Sequence, residues 1–301
     1  MKKLLVTGGT VFVSKAVAAY FSEREYDVYV LNRGNKPQLP KVHWIKANRN
    51  ALGNALKEMH FDAVLDITAY TKQDISDLLD GLGTFDDYIM ISSSAVYPET
   101  NAQPFMENGV LGNNKFWGNY GTDKIEAEKE LLSRVPNAYI LRPPYLYGEG
   151  NNVYRESFVF DCAMQDRAFY LPKDGGMKMQ FFHVKDLCRF IEILLQKKPE
   201  EHIYNVGNKE TICIKDWVCL CYKVAKKEPR FVNVNEDLEQ RNYFSFYDYE
   251  YYLDVSKQYE LMNDVLPMSA GLKTAYQWYE SNQDEVWKKP YIEFIKDRWE
   301  K

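Results

Sequence analysis

Residues 2–15, KKLLVTGGTVFVSK, set an apolar run, a glycine pair and the start of an apolar-periodic stretch in direct succession. Strand, tight turn and helix is the order in which open α/β sheets build a dinucleotide-binding turn. One glycine makes the bend, a second lets backbone approach a pyrophosphate, a third lets helix pack on strand, and the helix N–H groups face the phosphates. Gly8 meets the first need, but Val11 and Ser14 stand where the later glycines are expected. Taken alone, the loop reads equally well as a plain strand-helix turn.

Outward from this turn, short apolar runs alternate with helix-like stretches: KLLVTG then 14–25, DVYVLNRG, VHWIKAN then 51–59, FDAVLDITAY then 72–82, DYIMISSSAVY then 120–134, and AYILRPPYLYG. This alternation predicts an α/β fold, a doubly wound parallel sheet of the Rossmann type. Residues 1–150 form its dinucleotide-binding domain, with 176–207 and about 246–256 returning to it. The last third is longer-looped and predicts a smaller C-terminal α/β substrate lobe from 151–175, 208–245 and 257–301. Within it, Trp287, Tyr291, Phe294, Ile295 and Trp299 predict an aromatic-faced helical tail that docks on the lobe or covers a neighbouring subunit.

Composition narrows the function. The 301 residues are 46% hydrophobic and 27% charged with a net charge of −5, and basic residues are scattered, which disfavours nucleic acid and anionic lipid as partners. No apolar stretch reaches the roughly 18 residues of a membrane span, and only three apolar residues follow the two N-terminal lysines, which argues against a signal peptide. A cytoplasmic protein is expected. The five cysteines lack a partner pair at zinc spacing, so they read as small buried thiols and no metal site is expected. The 23 tyrosines, dense in NYFSFYDYEYYLD (242–254), fit a ring-binding cleft or plain packing.

In YGTDK, Tyr120 and Lys124 lie four apart at the start of a helical stretch, on one face. A lysine beside a phenol favours phenolate, drawing its pKa of about 10 toward that of a general base. The serine cluster ISSSAVY ends a strand, where open α/β sheets place ligands.

With these residues in view, the chain resembles the extended short-chain dehydrogenase/reductase family of nucleotide-sugar epimerases, dehydratases and reductases. The likeness runs in order through VTGGTVFVS, LNRG, FDAVLDITAY, ISSSAVY, YGTDKIEAE, LRPPYLYGEG, FFHVKDL, YNVGN, YLDVSK and GLKTAYQWY. The resemblance implies Tyr120 as acid/base for a sugar hydroxyl, Lys124 as the group that lowers its pKa and holds the nicotinamide ribose, and Ser93 as hydrogen-bond partner of the reacting oxygen. Family dehydratases carry Asp-Glu after this serine. Ser94 and Ala95 stand here, which implies epimerisation or simple reduction and no elimination.

For the cofactor, the resemblance implies contacts from Gly8, Thr10, Phe12, Val13, Asn32, Arg33, Asn48, Thr68, Ala69, Tyr70, Lys124, Pro143 and Tyr145. An acidic residue closing the second strand would bind the ribose hydroxyls of NAD, whereas Asn32-Arg33 suits a 2′-phosphate and so NADP; NAD stays open, with Arg33 stacked on adenine. The family's diphosphate-gripping Asn and Arg are replaced near Tyr145 and Met179, leaving Ser94, Tyr145, Arg155 and Lys178 as substrate contacts. In the branch related to chloroplast stem-loop-binding and isoflavone-reductase-like proteins, the first loop often reads GGTRFVG, which makes Val11 ordinary. The expectation is an NAD(P)-dependent epimerase or reductase of a sugar or nucleotide-sugar, acting as a homodimer. The alternative is a non-catalytic dinucleotide-sensing or RNA-associated protein on the same fold.

Overall fold

The computed structural model describes residues 1–300. Seven strands form one wholly parallel sheet: β1 (Lys2–Thr7), β2 (Tyr26–Asn32), β3 (His43–Lys46), β4 (Leu56–Asp66), β5 (Leu82–Ile91), β6 (Tyr139–Arg142) and, later in the chain, β11 (Ile203–Asn205). Their order is β3-β2-β1-β4-β5-β6-β11, so the winding reverses between β1 and β4. In doubly wound sheets ligands enter at the carboxyl ends beside such a reversal. Because a parallel sheet is covered on both faces, its central strands are apolar where the helices cover them; all four residues of β6 are buried.

One face is covered by α1 (Phe12–Ser22) and α5 (Val184–Lys197), through Val17, Phe21, Leu187, Ile191 and Leu194. The other is covered by α2 (Lys72–Gly81) and α3 (Asn119–Arg134), through Ile75, Leu78, Ala127 and Leu131. Helix α2 starts on a capping box: the Thr71 hydroxyl accepts from the Asp74 N–H, and the Asp74 carboxylate accepts from the Thr71 N–H.

The helix expected over 51–59 does not form. Turns closed by Ala51 N–H to Asn48 O and Ala55 N–H to Leu52 O lead directly into β4. Gly53 takes a left-handed φ of +55° that interrupts a helix. Leu52 and Leu56, whose spacing suggests a helical face, are both buried against the same core from the turn and from the strand. Tertiary burial thus overrides local periodicity.

Outside the seven-stranded sheet the chain forms three short strand pairs: β7 (Tyr145–Tyr147) with β10 (Phe181–His183), β8 (Phe169–Pro172) with β13 (Phe231–Val234), and β9 (Lys178–Met179) with β12 (Ile212–Cys213). Helices α4 (Glu156–Met164), α6 (Ile214–Val224), α8 (Met268–Ser281) and α9 (Tyr291–Trp299) surround a strongly aromatic core, and the short α7 (Ser256–Leu261) lies between β13 and α8 in sequence. Phe244, Phe246, Tyr249 and Tyr251 are buried in that core, so most of the aromatic cluster at 242–254 is packing. The tail docks on its own lobe: Tyr291 and Ile295 are buried, and Trp299 stacks on Tyr170 at 5.0 Å. No described helix is long and apolar enough to cross a membrane.

Below the carboxyl edge of the sheet lies a buried ionic knot. Asp66, at the end of β4, receives two hydrogen bonds from Arg49 (2.9 and 3.0 Å), one from Tyr88 (2.6 Å) and one from Thr7 (2.7 Å). Burial by itself would raise the Asp66 pKa; the Arg49 charge and these donors more than offset it, so the carboxyl is held below its ordinary value. A depressed carboxyl stabilises the fold above its unfolded pKa of about 3.9 and loses that contribution as pH falls through the folded value. Asp66→Asn strands Arg49 and should cost about 3–5 kcal/mol in urea unfolding at pH 7. The difference from wild type should narrow on acidification below about pH 4; a difference independent of pH would refute the ionic account.

Candidate active site

The glycine turn works by a different division of labour from the expected pattern. Gly8 and Gly9 both take left-handed backbone (φ +91° and +88°), whereas Val11 is ordinarily extended at φ −135° and needs no glycine. A Cβ on Gly8 would lie 2.7 Å from Ser14 Oγ. The bare α-carbon at 8 therefore makes the room that a glycine at 14 would otherwise supply, and Ser14 donates its hydroxyl to Val11 O at 2.9 Å. Helix α1 begins with no side-chain cap and no acidic residue in its first turn, an electrostatic setting suited to an anion. Phe12, its first residue, holds a strained φ of +34°. These features fit a pyrophosphate.

This turn forms one end of a cleft of about 670 Å³ that also takes in Ser93, Tyr120 and Lys124. Ser93 is the extended residue opening the 3-10 turn Ser94–Val96, and its hydroxyl accepts from the Ala95 N–H at 3.1 Å. Tyr120 and Lys124 stand one helical turn apart on α3. Gly121 sets their distance from Ser93: a Cβ there would lie 2.2 Å from Ala95 O, so the helix seats on the serine turn only with glycine at this position.

Lys124 is 2% exposed, and its ammonium donates to Ala69 O at 2.6 Å and Ile91 O at 2.8 Å. Of its three donors, one remains for a ligand. Burial pulls its pKa down to about 8, with Asp66 and Glu128 acting in the opposite direction. Tyr120 corrects an expectation. Its ring is 40% exposed to the cleft, but crowding around the hydroxyl raises the phenol pKa; the hydrogen-bonding Ser93 and the charge of Arg155 oppose that rise, and Lys124 is not among the groups acting on it. The Lys124 ammonium stands 6.0 Å from the Tyr120 ring centre and 5.0 Å from that of Tyr70.

Phe12, Val13, Thr68, Tyr70, Pro143, Tyr145, Ser94 and Arg155 also line the cleft. Ser94 donates to the Tyr251 hydroxyl at 3.1 Å. Ala69 lies behind the wall, contributing the carbonyl that holds Lys124. Gly8, Thr10, Asn32, Arg33 and Asn48 are outside the cleft lining. The Asn32 amide is engaged within the protein: it donates to Gly8 O and Gln38 and accepts from Gly34 N–H and Trp44. Asn32 thus braces the glycine turn, and exposed Arg33 follows it. Lys178 is placed away from the site; it is exposed on β9, paired with β12, and its N–H donates to Glu250.

Sequence reasoning missed several lining groups. Trp117, Tyr247 and Tyr251 also line the cleft, and a side pocket of about 170 Å³ adds Arg241, Lys289 and Tyr291 to Arg155. No aspartate or glutamate lines either space. Arg241 and Lys289 carry no motif that marks them, since only folding brings the 241 and 289 segments to Arg155.

Residues 78–207 match the NAD dependent epimerase/dehydratase family. The chain is 26% identical over 280 residues to the chloroplast stem-loop binding protein of 41 kDa b from Arabidopsis thaliana, covering 85% of this chain and 73% of that protein. It is 23% identical over 266 residues to dTDP-4-dehydro-6-deoxyglucose reductase from Escherichia coli, covering 74% and 82%. It spans 48% of the length of an Arabidopsis thaliana trifunctional UDP-glucose 4,6-dehydratase to which it is similar. The fold matches dTDP-glucose 4,6-dehydratase from Bacillus anthracis in complex with NAD, with a TM-score of 0.76 at 18% identity over 95% of this chain and 99% of that one. The matched segment carries the likeness to the NAD dependent epimerase/dehydratase family, and the chain shares the fold of that Bacillus anthracis protein, a doubly wound parallel sheet with a second lobe.

Proposed function

We propose that the protein is an NAD(P)-dependent epimerase or reductase of a sugar or nucleotide-sugar, with Tyr120 as acid/base. The observation that carries this reading is the convergence of Ser93, Tyr120 and Lys124 on one cleft that begins at the glycine turn. A bound nicotinamide supplies hydride chemistry. Tyr120 exchanges a proton with the substrate hydroxyl, and Ser93 hydrogen-bonds the same oxygen. The free donor of Lys124 serves the ribose and, once the cleft is filled and water excluded, favours the phenolate across the gap to Tyr120. Ser94 and Ala95 carry no group able to shuttle the proton of a dehydration, which leaves epimerisation or reduction.

At the adenosine end, NADP is the preferred form. No carboxylate closes β2 to repel a 2′-phosphate, Asn32 is occupied in bracing the turn, and Arg33 is exposed beside it. A homodimer through the outer faces of α2 and α3 belongs to the same reading. Those faces present Lys72, Glu126 and Lys129, so association there is ionic and should weaken with salt. Sedimentation at low and high ionic strength checks it, and a dimer indifferent to salt would refute that surface.

Tyr120→Phe should bind cofactor as wild type does while turnover on a nucleotide-sugar panel falls by about 10²–10⁴-fold. Unchanged turnover would remove Tyr120 from the chemistry. Titration with NADP and NAD should show tighter NADP binding, and Arg33→Ala should erase the difference. The same titrations test Lys124. With its proton lost near pH 8, cofactor affinity should decline above that value by at most about tenfold per pH unit, and Lys124→Met should show weaker, flat binding. If neither dinucleotide binds and a stem-loop RNA does, the RNA-associated reading replaces the enzyme.

A further inference from the structure

Helix α3 meets the exit of β5 at three successive turns. Gly121 lies against Ala95 O, Lys124 donates to Ile91 O at 2.8 Å, and the Ser92 hydroxyl donates to the Glu128 carboxylate. Tyr120, Lys124 and Glu128 follow one another at intervals of four residues and so share one helical face. The first two line the cleft. Glu128 stands behind them, 3% exposed, and does not line it.

The Glu128 carboxylate is fully engaged. Besides Ser92 it receives Arg142 through Nε at 3.0 Å and Nη2 at 2.6 Å, a bidentate pair in which the arginine is also buried. The remaining nitrogen, Nη1, donates to the Tyr97 hydroxyl at 2.9 Å and to Glu107 O at 3.0 Å. Beyond the strand ends, the Ser92 N–H donates to Leu141 O at 2.7 Å and the Ser94 N–H to Pro143 O at 3.0 Å. Ile91, Ser92 and Ser94 are thus each held by a neighbouring segment, which fixes the place of Ser93 between them.

Packing alone does not call for this carboxylate. A buried ion pair adds little net stability over apolar residues of the same volume, and the other acids of α3, Asp123, Glu126 and Glu130, are not buried. What the pair supplies is a fixed negative charge one turn from an ammonium that burial tends to discharge. Asp66 on β4, Glu128 on α3 and Asp74 on α2 favour charged Lys124, Arg49 opposes them, and the rings of Tyr70 and Tyr120 stand 5.0 and 6.0 Å from the ammonium. Asp66 is committed to Arg49, and Asp74 lies 3.7 Å from the same guanidinium. Arg142, by contrast, is not among the groups acting on Lys124, so the charge of Glu128 reaches it without that opposition.

We infer that Glu128 is a positioning residue of the site: held by Arg142, its carboxylate seats the exit of β5 through Ser92 and presents a fixed charge to Lys124, so that the serine and the ammonium keep their places relative to Tyr120. The inference rests on the reading of Ser93, Tyr120 and Lys124 as one reacting set. Glu128 acts only through these neighbours.

The test follows the Lys124 resonance in the full-length free protein, isotope-labelled at lysine Cε and assigned by its loss in Lys124→Met. The wild-type midpoint should lie near pH 8. Glu128→Gln removes the charge and should lower that midpoint by about one pH unit. Because Glu128→Gln also strands the Arg142 charge, the paired variant Glu128→Gln/Arg142→Met, which buries no unmatched ion, should show the same downward shift. Glu128→Asp retains the charge and should bring the midpoint back toward wild type. Ser92→Ala cuts the tie but leaves the charge, so the midpoint should stay in place while amide hydrogen exchange at Ser94 and Ala95 quickens by about tenfold. A midpoint unmoved in both Gln variants, or unchanged exchange in Ser92→Ala, overturns the inference; a purely structural pair would alter thermal stability and leave the Lys124 titration alone. Since Lys124 is followed without ligand, the outcome is separate from turnover in Tyr120→Phe, which reports on the acid/base reading.

Discussion

The buried ammonium of Lys124 ties the functional half of the molecule together. Its two hydrogen bonds reach carbonyls just past the end of β4, at Ala69, and at the last residue of β5, Ile91, while its own backbone belongs to α3. A cation buried to this extent is costly unless its donors are satisfied, so the three segments hold one another in register at the carboxyl edge of the sheet. Tyr120 and Ser93 inherit their positions from that tie, since one rides on the same helix and the other follows β5 by two residues. The depressed pKa of Lys124 is the cost of using a charged group as the fastener. It also makes the site responsive to pH within the range where enzymes work.

Directly beneath this tie, the Arg49–Asp66–Tyr88–Thr7 knot fixes the ends of β1 and β4 on either side of the point where the winding reverses. The Thr7 hydroxyl that donates to Asp66 also accepts from the Ile67 and Thr68 N–H groups. The floor of the cleft is thus set by polar groups that satisfy one another, and the walls above it are left for ligands. Breaking either element would leave the apolar faces of the sheet intact but misplace the cleft, because buried polar networks specify geometry more than they add net stability.

These polar devices also explain what was legible in the sequence. The doubly wound parallel sheet and most helices followed from periodicity, because each strand and helix buries its own apolar face. The Tyr120 and Lys124 pair was readable from local spacing on one helix, and Ser93 from the family resemblance of the serine cluster that ends β5. The glycine turn was readable only in part, since compensation between Gly8 and Ser14 is a contact across the turn and not a motif. Asn32 was expected as a cofactor contact and Arg49 adjoins one, but their roles as brace and counter-ion depend on partners at Gly8, Trp44, Asp66 and Asp74 that spacing cannot reveal. The supposed helix at 51–59 failed for the same reason: Leu52 and Leu56 answer to a core assembled from distant segments.

The distribution of charge carries the argument one step further. The protein is acidic overall, yet the cleft and its side pocket are lined by Lys124, Arg155, Arg241 and Lys289 with no carboxylate. The glycine turn needs little of this to suit an anion, because the uncapped N–H groups of α1 already face it. Three of the four cations, Arg155, Arg241 and Lys289, line the side pocket. This asymmetry of charge comes from segments at 155, 241 and 289 that only the fold brings together, so it could not be read from local sequence motifs.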